Sequence, residues 1–115
     1  MPSESALSTL EYHVLLAMAA GPLYGYAIKE SVEAESAGAV MPRAGSLYRV
    51  IARLISWGLV RQAQPEEKVE PHPGRPRQYY ALTPEGRAAL ADEAARLKGA
   101  AALAEKRLRM AGGRR

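Results

Sequence analysis

Residues Ala44 to Leu59 read AGSLYRVIARLISWGL, and the way they divide between two faces decides the fold. On a helix of about 3.6 residues per turn, Leu47, Val50, Ile51, Leu54 and Ile55 gather on one side, and Gly45, Arg49, Ala52, Arg53 and Ser56 on the other. One side is made for a core and the other is basic. The small residues between the arginines matter as well, because a helix entering a major groove about 12 Å wide has no room for bulk between its reading side chains. The pattern is that of a DNA-recognition helix.

Charge along the chain agrees. Ser36 through Pro65 holds Arg43, Arg49, Arg53 and Arg61 and no carboxylate, whereas residues 1 to 35 hold one Lys against five Glu. The formal net charge of +4 is modest for 115 residues. Its concentration in one helix and the segment after it points to a polyanion rather than to a solvated basic face.

With 48% hydrophobic content, 115 residues suffice for one domain with a small core. The longest apolar run, Val14 to Ala20, falls far short of the roughly 18 residues of a membrane span, and Met-Pro-Ser-Glu-Ser lacks the basic start of a signal peptide. These features lead to the expectation of a cytoplasmic protein with no membrane partner. The absence of cysteine excludes disulfides, thiolate catalysis and most zinc sites. His13 and His72 have no carboxylate or second His at ligand spacing, so neither a metal nor a cofactor is expected. With no phosphate loop of the Walker type either, an enzyme is not expected, and no catalytic residue is assigned.

Ser8-Thr9-Leu10-Glu11 forms a capping box that opens a first helix over about Thr9 to Ala20, stopped at Gly21-Pro22. Its apolar residues occupy two faces, Leu10, Val14 and Met18 against Tyr12, Leu16 and Ala19, so it calls for cover from two sides, one of them a partner subunit. A second helix fits Tyr24 to about Ala34. Pro42 delays the third until after it, giving helix, turn, helix. Gly58 ends that helix, and Leu59 to Ala63 and Gln78 to Leu82 read as the two strands of a wing, joined by the polar, Pro-rich loop Pro65 to Gly74.

Thr83-Pro84-Glu85-Gly86 opens the last helix, with Thr83 as N-cap and Pro84 at the first helical position. Leu90, Ala94, Leu97, Ala101, Ala104 and Leu108 recur at spacings alternating between four and three, the seam of a helical interface. About 25 residues reach roughly 38 Å, longer than the core that the helix could cover by itself. Self-association through Leu10, Val14 and this seam is expected. The fold class is therefore mainly α with a small β-wing, a winged helix-turn-helix domain over residues 1–82 followed by a dimerisation helix and basic tail over 83–115, the tail ending at Arg114 and Arg115.

Taken in order, Leu23-Tyr24-Gly25-Tyr26-Ala27-Ile28, Gly45-Ser46-Leu47-Tyr48-Arg49, Leu54 through Gly58-Leu59-Val60, and Gly74-Arg75-Pro76-Arg77-Gln78-Tyr79-Tyr80-Ala81-Leu82-Thr83-Pro84-Glu85-Gly86-Arg87 resemble the successive signatures of the PadR family of winged helix-turn-helix transcriptional regulators. The resemblance runs from about Leu7 to Leu108. It implies a homodimeric bacterial repressor of the short subfamily with a single C-terminal helix, its interface built by the first and last helices of both subunits. Two departures stand out. Tyr24 occupies a position where many relatives carry His, with little consequence expected, and the last helix lacks the tryptophans between which some short relatives sandwich flat drugs.

Arg49 and Arg53, a turn apart on the basic face, suit guanine edges or phosphates. Ser46 and Tyr48 in the first turn suit a phosphate oxygen, Tyr48 at the edge of the core side, and Arg43 lies just ahead of them. Arg75 and Arg77 flank Pro76 at the base of the wing, while Lys68 lies among carboxylates and has a weaker claim. Trp57 suits a core edge or cavity wall. Tyr79 and Tyr80 should face opposite ways on their strand. The expected partners are double-stranded DNA at a pseudopalindromic operator, a second copy of the chain, and a small-molecule effector that changes the spacing of the two reading helices. The alternative is a winged-helix module for protein contacts alone.

Overall fold

The computed structural model describes residues 6–64 and 77–112. The Pro65 to Gly74 loop with Lys68 and His72, and Arg75, Pro76, Arg114 and Arg115, lie outside the described residues. The elements in chain order are α1 (Thr9–Ala17), β1 (Leu23–Tyr24), α2 (Gly25–Glu35), α3 (Ala44–Ser56), β2 (Val60–Ala63), β3 (Tyr79–Leu82) and α4 (Pro84–Gly112).

The capping box forms. The Glu11 amide donates to Ser8 Oγ at 3.1 Å, and the Ser8 amide donates to Glu11 Oε1 at 2.8 Å. α1 ends three residues earlier than the Gly-Pro stop suggests, because its last turn tightens: the Met18 and Ala19 amides reach back only to the Leu15 and Leu16 carbonyls. Between α2 and α3 the Ser36 hydroxyl folds the turn, accepting from the Val40 amide at 3.0 Å. Ala37 takes a left-handed φ of 53° there, followed by Gly38.

α3 divides as its sequence demands. Leu47, Val50, Ile51 and Leu54 are at most 5% exposed, each contributing roughly 2 kcal/mol of hydrophobic burial. They pack with Leu15 and Met18 of α1, Ile28 and Val32 of α2, and Leu59, Val60, Tyr80 and Leu82 of the sheet. The helix exits through a Schellman turn: Gly58 at φ 76° lets the Leu59 amide donate to the Leu54 carbonyl and its own amide donate to that of Ile55.

That exit is fastened to α4. The Thr83 hydroxyl accepts from the Gly86 amide as an N-cap should, and also donates to the Gly58 carbonyl at 2.6 Å. Gly86 is needed because a Cβ there would lie 2.0 Å from the Leu59 carbonyl oxygen.

The two-stranded wing proves to be the larger part of a three-stranded antiparallel sheet ordered β1-β3-β2. The addition is β1, whose Leu23 and Tyr24 pair with Tyr80 and Tyr79. Two residues are too few for a strand period to show in sequence. Tyr79 is half-buried and Tyr80 buried, in line with opposite facings. Burial pushes the Tyr80 phenol pKa upward, and nearby Tyr48 adds to the effect.

Candidate nucleic-acid interface

The bare side of α3 presents Gly45, Tyr48, Arg49, Ala52, Arg53 and Ser56 as exposed residues, with Ser46 partly covered and Arg43 exposed just before the first turn. No acidic residue lies in that first turn. Arg49 Nη2 donates to Ser46 Oγ at 3.3 Å, one helical turn away, which holds the guanidinium along the helix rather than against another element.

Tyr48 does two things. It is 49% exposed, and its ring covers the start of α2 so closely that a Cβ on Gly25 would stand 2.3 Å from the phenol oxygen. Gly25 is therefore a packing requirement for α3, which the sequence motif contained without stating why. Tyr26, 60% exposed, and Lys29 border the same small cleft of about 60 Å³ with Ala44 and Leu47. Tyr26 is a surface candidate that sequence reasoning passed over, because it lies outside the basic helix.

Arg53 has a different setting from Arg49. Its Nε lies 3.1 Å from Glu11 Oε2, and its guanidinium carbon 5.7 Å from the Trp57 ring centroid. Trp57 is half-buried at the core edge. At the wing, the guanidinium carbon of Arg77 stands 4.3 Å above the Tyr24 ring, and Tyr24 meets Tyr79 edge to face at 5.8 Å. Tyr24, expected to matter little, is the platform beneath one of the wing arginines. Arg75 lies outside the described residues.

The residues expected at a subunit interface separate into three groups. Val14 is fully buried within its own chain, because α1 packs against α2, α3 and α4, so it is a core residue and not an interface residue. Leu10, Leu90 and Ala94 are half-buried, and Leu10 and Leu90 pack on the core. Ala101 and Ala104 are exposed, and Leu97 and Leu108 are 38% and 73% exposed. Leu103 and Met110, absent from the seam, are also exposed.

His13, read as isolated, has a carboxylate neighbour after all: Glu35 Oε1 lies 3.1 Å from its Nδ1 across the packed α1 and α2, 22 positions away in sequence. Among the described residues, no three His, Asp or Glu side chains converge as a metal site would need. On α4 the buried Glu93 carboxylate is gripped by Arg96, with Nε to Oε1 at 2.9 Å and a second contact from Arg96 Nη2 to Oε2. That hydrogen bonding holds the Glu93 carboxyl below its usual range despite burial.

The model of the transcriptional regulator PadR-like family matches residues 14–92, which form the helix-turn-helix, the sheet and the first turns of α4. The chain belongs to the PadR-like family. A family of transcriptional regulators, rather than of enzymes, accounts for the helices and wing just described. The chain is 47% identical over 89 residues to an uncharacterized 37.1 kDa protein in transposon TN4556 of Streptomyces fradiae. That match covers 75% of this chain and 23% of the other, so the chain spans about a quarter of that relative's length. Among solved structures, a PadR family transcription regulator from Clostridium difficile superposes with a TM-score of 0.71 at 20% identity, covering 88% of this chain and 99% of that one. A PadR-like transcriptional regulator from Bacillus cereus gives 0.68 at 20% identity, covering 87% and 91%. Bacillus subtilis PadR, crystallised with operator DNA, gives 0.59 at 21% identity, covering 74% of this chain and 46% of that one. These PadR structures share the winged-helix fold. Among the described residues, no helix is long and apolar enough to cross a membrane.

Proposed function

We propose that the chain is a homodimeric repressor that binds a pseudopalindromic DNA operator in the cytoplasm, with α3 in the major groove and the wing on flanking backbone or minor groove. The observation that carries this is the bare face of α3: Arg49, Ser46 and Tyr48 stand exposed or half-exposed beside Gly45 and Ala52, which leave room for base edges. The operator complex of Bacillus subtilis PadR supports the reading through shared fold. Arg43, Arg49, Ser46 and Tyr48 serve as the contacts of the reading helix, and Arg75 and Arg77 as those of the wing. Arg53 belongs to the same basic face.

The dimer is closed by Leu97, Ala101, Ala104 and Leu108 of α4 with Leu10, Leu90 and Ala94 at its inner end. Two reading helices related by a dyad would address half-sites about 34 Å apart. An effector would release the operator by binding one spacing of those helices better than another, bending α4 near Gly99 to Ala102. Since α4 carries no aromatic residue from Pro84 to Gly112, a compact apolar ligand suits such a site better than a flat dye.

The test is footprinting on DNA upstream of the chain's own gene, with affinity followed against salt. Protection should cover two half-sites, and Arg49→Ala should lose about 2 kcal/mol of operator affinity. Salt-insensitive or undetectable DNA binding by the intact chain would instead support a module for protein contacts alone.

A further inference from the structure

Glu11 sits where the cap of α1 meets the flank of α3, and its carboxylate is engaged at both oxygens. Oε1 accepts the Ser8 amide at 2.8 Å, Oε2 faces Arg53 Nε at 3.1 Å, and the side chain is only 9% exposed. The Arg53 guanidinium is thus held between a sheltered carboxylate and the Trp57 ring. Arg49, one turn earlier, is engaged instead by Ser46 of its own helix.

We infer that Arg53 is a positioning residue: it braces α3 against the capped start of α1 and sets the angle at which Arg49 and Ser46 are presented, instead of reading bases or clamping a phosphate itself. The inference rests on the DNA-binding reading given above and divides its basic face into a reader and a strut. The physical reason is compensation of charge. An arginine whose charge is already met by a sheltered carboxylate draws phosphate weakly, and withdrawing it for DNA would leave Glu11 sheltered and uncompensated. Geometry adds to this, since the fork, with its side chain 46% exposed, is drawn toward an acid on one side and an aromatic face on the other. The brace also joins α1, which flanks the proposed subunit interface, to the helix that meets DNA.

Glu11→Gln separates the roles of the acid, because glutamine serves equally at this capping-box position and keeps the Ser8 contact while removing the charge that faces Arg53. Operator affinity of the intact chain is measured across a salt series for wild type, Arg53→Ala, Arg53→Lys, Glu11→Gln and the Glu11→Gln/Arg53→Ala double variant, on duplex DNA from upstream of its own gene. Trp57, the single tryptophan, reports on the brace without DNA through its emission.

For a strut, Arg53→Ala and Glu11→Gln each weaken binding about three- to tenfold with the wild-type salt slope, and the double variant is no weaker than the worse single one. Both singles shift Trp57 emission in the free protein. Arg53→Lys, which keeps the charge and loses the fork, also weakens binding, and it stands in should the alanine variant fail to fold. A salt slope shallower by about 0.9 in Arg53→Ala, with Glu11→Gln binding like wild type, makes Arg53 a phosphate contact and overturns the inference. Failure of the DNA-binding reading is distinct: wild type itself then shows no salt-dependent affinity, while the Trp57 emission of the DNA-free variants still tests the brace.

Discussion

α3 and α4 both leave one side bare, and the two bare sides differ in kind. Over its 13 residues α3 buries Leu47, Val50, Ile51 and Leu54 and shows water only small, polar, aromatic-hydroxyl or basic groups. α4 runs for 29 residues, and every residue from 95 to 112 is exposed, including Leu97, Leu103, Leu108 and Met110. Water solvates arginine, serine and a phenol at little cost, so α3 is complete as it stands and its face is suited to a polyanion. Exposed leucines forgo roughly 1.5 to 3 kcal/mol each of burial, so α4 is complete only when something apolar covers it. The same chain thus carries one exposed surface that is small, polar and basic, as the proposed contact with DNA requires, and another that is partly apolar, as the proposed subunit interface requires.

The largest effect should come from charging the uncovered half of α4. Leu97→Glu is expected to weaken self-association by about 3 to 5 kcal/mol, read by sedimentation, while circular dichroism shows α3 unchanged. A wild-type chain that sediments as a folded monomer at micromolar concentration breaks the comparison at its root.

The seated half of α4 should respond oppositely to the same chemical change. Gly86→Ala drives a Cβ into the Leu59 carbonyl and should cost about 3 kcal/mol of folding stability in urea titrations. Gly99→Ala, where an added Cβ meets nothing within 4 Å, should gain about 0.8 kcal/mol from helix propensity. Equal responses at the two glycines would mean that α4 is not anchored as described.

Thr83 joins the two regions, so its loss tests whether they move as one. Thr83→Ala removes both the cap on Gly86 and the bond to Gly58, and should cost about 1 to 2 kcal/mol, with Thr83→Ser restoring most of it.

The smallest effect concerns acid. The Arg96 hydrogen bonds depress the folded-state pKa of Glu93 below its unfolded value, so their stabilisation is full above the unfolded carboxylate pKa and fades as pH falls through the folded one. Unfolding midpoints followed from neutral to strongly acidic pH should fall less steeply in Glu93→Gln than in wild type. An unchanged acid limb would show that the pair does not contribute to pH dependence.

Much of this molecule is local and therefore legible. The faces of α3, the Ser8–Glu11 capping box, the Schellman turn at Gly58 and the Thr83 cap each depend on residues within a turn or two of one another, and the sequence carries them directly. The family signatures also contain glycines whose reason is not local: Gly25 lies beneath Tyr48 and Gly86 against Leu59, and those contacts became visible only in three dimensions. What the sequence could not supply is partnership at a distance. Whether Val14 faces the core or a second subunit depends on which of two apolar faces α1 turns toward α2, α3 and α4, and helical periodicity is identical in either case. The strand Leu23–Tyr24 exists only because β3 lies beside it. Glu11 meeting Arg53, Tyr24 beneath Arg77 and His13 beside Glu35 are likewise products of packing. Sequence by itself determined which residues want water, apolar cover or a cap, because those preferences belong to side chains and their nearest neighbours. Only the tertiary structure decided which charges are already answered, because that depends on how the elements pack and no spacing along the chain encodes it.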